Sequence, residues 1–175
     1  MKVQINRAPV LTLWAATVAE RTGHPWESAL TLGKAVAGLN AQAKGRSLGL
    51  YTARQPEETA GSPKKKPAAD LEWITVCGRP VPARKTARGV RAVDGDAVIE
   101  PGSVQKYLEK AFGEKLEEVR SAMKDLADAY SARELESRSY GFYERFRPVV
   151  SSGVGGWGQK GELDLELFKA LSTGR

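Results

Sequence analysis

Few residues in this chain are equipped for covalent or metal chemistry. The 175 residues include one histidine, His24, and one cysteine, Cys77. An imidazole or thiolate metal site needs three or four such ligands, so none can be assembled, and no internal disulfide can form. His24 stands between Gly23 and Pro25, where a turn or capping role is the plain reading. Cys77 closes a β-type pattern that favours burial over a reactive thiolate. No Ser/His/Asp or Cys/His nucleophile set follows from these two residues. The carboxylate pairs Glu57-Glu58, Glu117-Glu118 and Asp94/Asp96 read as loop or helix-surface charges. Gly153, Gly155 and Gly158 spell GxGxxG within SSGVGGWGQKG, but a dinucleotide site needs a strand before it, a helix opening on the third glycine and an acid on a second strand beyond. Gly161 interrupts any such helix. The phosphate-loop pattern GxxxxGK[ST] fails too, because Gln159 separates Gly158 from Lys160 and Gly161 takes the hydroxyl position. Trp157 among these glycines reads as a plug for the core. No catalytic residue, metal or cofactor is expected.

What the chain does supply is unevenly placed positive charge. The net charge is +6, yet residues 1–91 carry 15 Lys and Arg against 6 Asp and Glu (+9), and residues 92–175 carry 12 against 15 (−3). A basic half attracts polyanions. The candidate phosphate contacts are Lys34, Lys44, Arg46, the run Lys64, Lys65 and Lys66 between prolines, and Arg84, Lys85 and Arg88. Such contacts position a nucleic acid, DNA or RNA, with little readout of its bases. The same charges also serve as solvated linker or as protection of a sheet edge.

The elements that must carry these residues are mostly helical. A first helix is expected from about Pro9 to Thr22, with Val10, Leu13, Trp14, Thr17 and Val18 as its stripe and Gly23 as its left-handed end. Pro25 suits the first turn of a second helix reaching about Lys44, whose small and apolar residues fill most of its circumference and mark it as the middle of the core. Together they form an αα-hairpin resembling a helix-turn-helix. The would-be recognition positions Trp26, Glu27, Leu30, Thr31 and Lys34 are a poor set for base edges. Residues 52–70, rich in Pro, Ala and charge and without periodicity, read as a linker or exposed loop.

Leu71 to Cys77 alternates as a strand, Leu71, Trp73, Thr75 and Cys77 against Glu72, Ile74 and Val76. Edge strands are expected near Pro80–Lys85 and Gly89–Val93, because Pro80 and Pro82 cannot donate to a central ladder. Helical spacing then runs from Ser103 through Tyr130 with a break at Gly113, continues through Leu135, Ser139, Phe142 and Phe146 to Pro148, and ends in a short helix through Leu163, Leu167, Phe168 and Leu171.

RAPVLTLWA and ALTLGKAVAGLNAQAKGRSLGLY, with FYERFRPVV and GWGQKGELDLE, resemble segments of conserved bacterial proteins without an assigned activity. The resemblance covers most of the chain outside the linker and carries over no site residue. The expected fold is α+β and helix-dominated: residues 1–51 a helical pair, 52–70 a linker, and 71–175 one short antiparallel β-ribbon plus helices, either separate or packed with 1–51 as one domain. No apolar run approaches the roughly 20 residues that span a bilayer. The apolar segment near the N-terminus lacks a small-residue cleavage site and is closed by Glu20-Arg21, so a cytoplasmic location without membrane contact is expected. The functional expectation is a non-catalytic nucleic-acid-binding protein. The competing expectation is an interaction or scaffold module, forming a homodimer or offering a partner groove.

Overall fold

The computed structural model describes residues 2–47, 71–87, 89–94, 97–148 and 161–173. In chain order these form β1 (Lys2–Ile5), α1 (Arg7–Arg21), α2 (Trp26–Ser47), β2 (Leu71–Val76), β3 (Arg79–Thr86), β4 (Gly89–Asp94), β5 (Ala97–Val98), α3 (Pro101–Phe112), a 3-10 turn (Gly113–Lys115), α4 (Leu116–Asp128), α5 (Ala132–Phe146), β6 (Gly161–Asp164) and α6 (Glu166–Thr173). The fold is α+β: an N-terminal helix pair, a small antiparallel sheet and C-terminal helices.

The centre of the molecule is α1. Every residue from Pro9 to Ala19 is buried, and the helix packs against α2, α3, α4 and α5. Pro9 falls within the first turn, where an amide hydrogen would have no intrahelical acceptor. The helix ends in a Schellman arrangement: the Gly23 amide donates to the Glu20 carbonyl at 3.1 Å and the His24 amide to the Ala19 carbonyl at 3.1 Å, with Gly23 at φ 119°. Two buried hydroxyls are satisfied inside the helix, Thr12 on the Ala8 carbonyl at 2.9 Å and Thr17 on the Leu13 carbonyl at 2.8 Å. The Trp14 indole donates to the Ser139 carbonyl at 2.9 Å and meets Phe146 edge-to-face at 5.3 Å, joining α1 to α5.

The sequence points to α2 as the middle of the core, and here the structure differs. Residues 28–33, 36 and 37 of α2 are buried, while Glu27 and Gly38 are exposed and Trp26, Lys34, Ala35 and Leu39 are half-buried. One of its small residues, Gly33, serves a close crossing. A Cβ on Gly33 would run into the Thr12 carbonyl oxygen and lie 2.8 Å from the Ala16 nitrogen, so α1 and α2 touch backbone to backbone.

The main sheet has the strand order β2-β3-β4-β5, all antiparallel. A two-residue turn at Cys77 and Gly78, both at positive φ (50° and 76°), joins β2 to β3 and suits the twist of a hairpin. β3 is an inner strand by order, yet β4 registers only with residues 83–86. Pro80 and Pro82 therefore sit where β2 alone adjoins, opposite Thr75 and Trp73, which reconciles them with an inner strand. The second sheet, β1 with β6, pairs Ile5 with Gly161 and Lys2 with Asp164. Leu163, expected in a helix, lies in that strand and is fully buried, and the helix begins at Glu166. Ser131 and Glu134 cap α5 reciprocally, and the Tyr130 hydroxyl donates to the Leu171 carbonyl at 2.8 Å, seating α6. No helix among the described residues is long and apolar enough to cross a membrane.

Gly33→Ala should destabilise the protein by roughly 1–3 kcal/mol or more, because neither backbone can yield without separating the helices. Gly38→Ala, in the same helix with nothing within 4 Å of the new methyl, should stabilise it by up to about 1 kcal/mol. Urea unfolding of the two variants checks the contrast.

Candidate functional site

The structure places the candidate cations in different parts of the fold. Lys34 is half-buried, its ammonium 4.2 Å from the centroid of the Tyr107 ring on α3, a cation–π contact within the molecule. Lys44 and Arg46 belong to the last turns of α2. Sixteen residues separate Lys44 from Ser28, which at the rise of a helix is about 24 Å along the axis. Lys64, Lys65, Lys66 and Arg88 lie outside the described residues. Arg84, half-buried, and Lys85, exposed, are neighbours on β3. The β3–β4 hairpin thus carries two of the predicted cations, on opposite faces of β3, while Lys34 and the end of α2 stand apart from it.

That hairpin is seated on α2 by polar contacts at its core-side strand. The Ala92 amide donates to the Thr31 hydroxyl at 3.0 Å, and the Thr31 hydroxyl donates to the Ser28 carbonyl at 2.8 Å. Arg91, only 4% exposed, donates to the Ser28 hydroxyl at 3.1 Å and to a Glu27 carboxylate oxygen at 3.3 Å. A guanidinium is a costly group to bury, and here its charge is met by a carboxylate whose other side is open to water. Among the cations of this ribbon, Arg91 is therefore a structural fastener. Arg79 lies 6.0 Å over the Tyr140 ring. Arg84 registers directly opposite Arg91, bringing two guanidinium-bearing positions together across the strands.

The would-be recognition positions of α2 are occupied within the fold. Leu30 and Thr31 are buried, Glu27 holds Arg91, and Trp26 is covered by the Arg120 guanidinium 3.9 Å from its ring centroid. The helix has no row of outward side chains to set into a groove at these positions.

Sequence reasoning missed the sheet's outward face. Ile74 packs against the core and Val76 is buried, so Trp73 and Thr75 face away from it, and Trp73 is 65% exposed. Period-two alternation separates the two faces of β2 without saying which meets the core. An indole leaving the core through a strand is the signal that was available.

Burial shifts the two groups Cys77 and His24. Burial pushes the Cys77 thiol up to about 12, with the Ser139 hydroxyl acting the other way. The two sulfur and oxygen atoms fall short of a hydrogen bond, since the buried Ser139 Oγ has none. Burial lowers the His24 pKa, opposed by Glu72. A cleft of about 320 Å³ between α1 and α4 is lined by Glu20, Arg21, Arg120, Lys124 and Asp128. Its acids are already paired, Glu20 with Arg120 at 3.7 Å and Asp128 with Lys124 at 3.3 Å and Arg21 at 3.6 Å, so the cleft reads as a charge network bracing two helices. At the start of α1, burial and the neighbouring Arg147 lower the Arg7 pKa while its Nε donates to the Pro148 carbonyl at 2.9 Å. Among the described residues no three of His, Cys, Asp and Glu gather to hold a metal ion.

Comparison with protein-family models, with curated proteins and with solved structures finds no match for this chain.

Cys77 should resist thiol reagents at pH 8 in the native protein and react once urea unfolds it. Because its folded pKa is raised from 9.0 to about 12, the folded state holds the proton more tightly. That contribution to stability is complete below about pH 9 and is lost as pH rises toward about 12. Urea midpoints at rising pH should therefore fall more steeply for the parent than for Cys77→Ala.

Proposed function

We propose that this is a cytoplasmic, non-catalytic nucleic-acid-binding protein that holds DNA or RNA through phosphate contacts from its basic N-terminal half. The observation that carries this reading is that Arg84 and Lys85 stand at successive positions of β3, putting one cation on each face of the β3–β4 hairpin, a ribbon narrow enough to lie along a sugar-phosphate backbone. Arg88, between β3 and β4 in the sequence, and the Lys64–Lys66 run preceding β2 add cations on either side along the chain. Lys34, Lys44 and Arg46, carried by α2 apart from the hairpin, are the remaining cations of the expected set. Contacts of this kind are insensitive to sequence and strongly sensitive to salt.

An interaction module is the alternative. It is favoured by the place of β2 at the end of the strand order, where a further strand from a second copy would pair.

Anisotropy and gel-shift titrations against duplex DNA and RNA at several salt concentrations separate the two. Affinity should fall linearly in log K against log salt, and Arg84→Ala with Lys85→Ala should reduce the slope by about 2, with Lys64, Lys65 and Lys66 to alanine reducing it by about 3. No binding near about 50 mM salt, where such contacts are strong, sinks the proposal. A homodimer by light scattering in that case favours the alternative.

A further inference from the structure

Among the described residues Trp73 stands apart from the other large aromatic side chains. Trp14, Phe142, Phe146 and Phe168 are buried and in ring contact with one another, whereas Trp73 leaves 65% of its surface in water. The contribution of β2 to the core is made by Ile74 and Val76 from the other face.

We propose that Trp73 is a stacking platform for an unpaired base, so that the nucleic acid held on this sheet is single-stranded. The proposal rests on the phosphate-contact reading above and specifies its ligand. Three features of the outward face support it. First, the surroundings toward the β2–β3 turn are low: Trp73 registers opposite Pro82, and Thr75 and Pro80 follow on the same face, none of them long enough to fold over an indole. Second, the β2 and β3 positions of that face hold no carboxylate, Glu27 of α2 being held on Arg91 across the strand from Arg84, and Arg84 stands two residues beyond Pro82, diagonal to Trp73 at roughly 7–8 Å between backbones. A base on the ring would leave its phosphate within reach of that guanidinium. Third, the exposed apolar surface is small. Besides Trp73, Leu167 is the large apolar side chain left exposed among the described residues, and it belongs to α6. A protein partner needs an apolar centre within a patch of about 800 Å², and among the described side chains of this face the indole is the single large exposed apolar group. A single flat ring beside a cation is what stacking requires, and every base has a face to offer it.

The test uses fluorescein-labelled oligothymidylate and oligouridylate of about 15 nucleotides and a duplex of equal length, titrated with the full chain at fixed low salt. Trp73→Ala should weaken single-strand binding roughly 5- to 100-fold and leave duplex binding unchanged, with Trp73→Phe keeping most of the affinity. Circular dichroism melting accompanies each variant, and Trp73→Leu, apolar but without a ring face, takes the place of the alanine variant if that one melts early. Equal single-strand affinity in parent and both Trp73 variants, with Arg84→Ala weakening every probe, overturns the stacking platform and leaves the phosphate reading in place. No binding of any probe by the parent overturns both. Loss of a dimer on Trp73→Ala, with single-strand affinity unchanged, overturns it in favour of self-association through this face.

Discussion

The contact on which the rest of this structure depends is the one between the backbones of α1 and α2 at Gly33. With no side chain between them, the Thr12 carbonyl and the Ala16 amide of α1 lie against the α2 helix itself. This closeness sets where the two ends of α2 point. Its first turns carry Ser28 and Thr31 to the sheet, and its middle carries Lys34 to Tyr107 on α3. Widening the crossing by a methyl group would shift both contacts at once, since a close-packed interior passes displacement on.

A second constraint follows from burying α1 on all sides. Surrounded by α2, α3, α4 and α5, it has no wet face for polar groups, and its threonines turn back onto carbonyls of the preceding turn. Charge is confined to its ends. Arg7 reaches the Pro148 carbonyl, and Arg21 reaches the Tyr130 carbonyl at 2.9 Å and Asp128. The sheet obeys the same rule in a different way, because the charge of Arg91 is buried only where Glu27 and Ser28 meet it.

Local signals made much of this fold legible. The glycine after α1, the proline before α2, the alternation of β2, the break at Gly113 and the helical spacing beyond it all correspond to observed elements. Elements that depend on distant partners were not legible. β1 is four residues long and finds its partner at 161–164, so neither strand has a neighbouring turn to announce it. The rank of α1 over α2 was hidden because composition weighs apolar residues, whereas what matters is how many helices surround each one. For the candidate site, the residue types on the β3–β4 hairpin were readable as cations, but Arg91 and Arg84 look alike in sequence and differ only in what α2 places beside them. The outward turn of Trp73 is likewise decided by the core and not by β2.

The Trp14 contact with Ser139 carries a consequence for the order in which the molecule is made. The two residues are separated by 125 positions, so on a ribosome adding about 5–20 residues per second the indole waits on the order of ten seconds for its acceptor. Early in that interval α1 has α2 to bury against, α3 and α4 are made before Ser139, and the surface taken by α5 is the last of the three to be covered. The helix pair is the earliest stable company available to a nascent chain of this sequence, and the tertiary structure closes around it from the far end of translation.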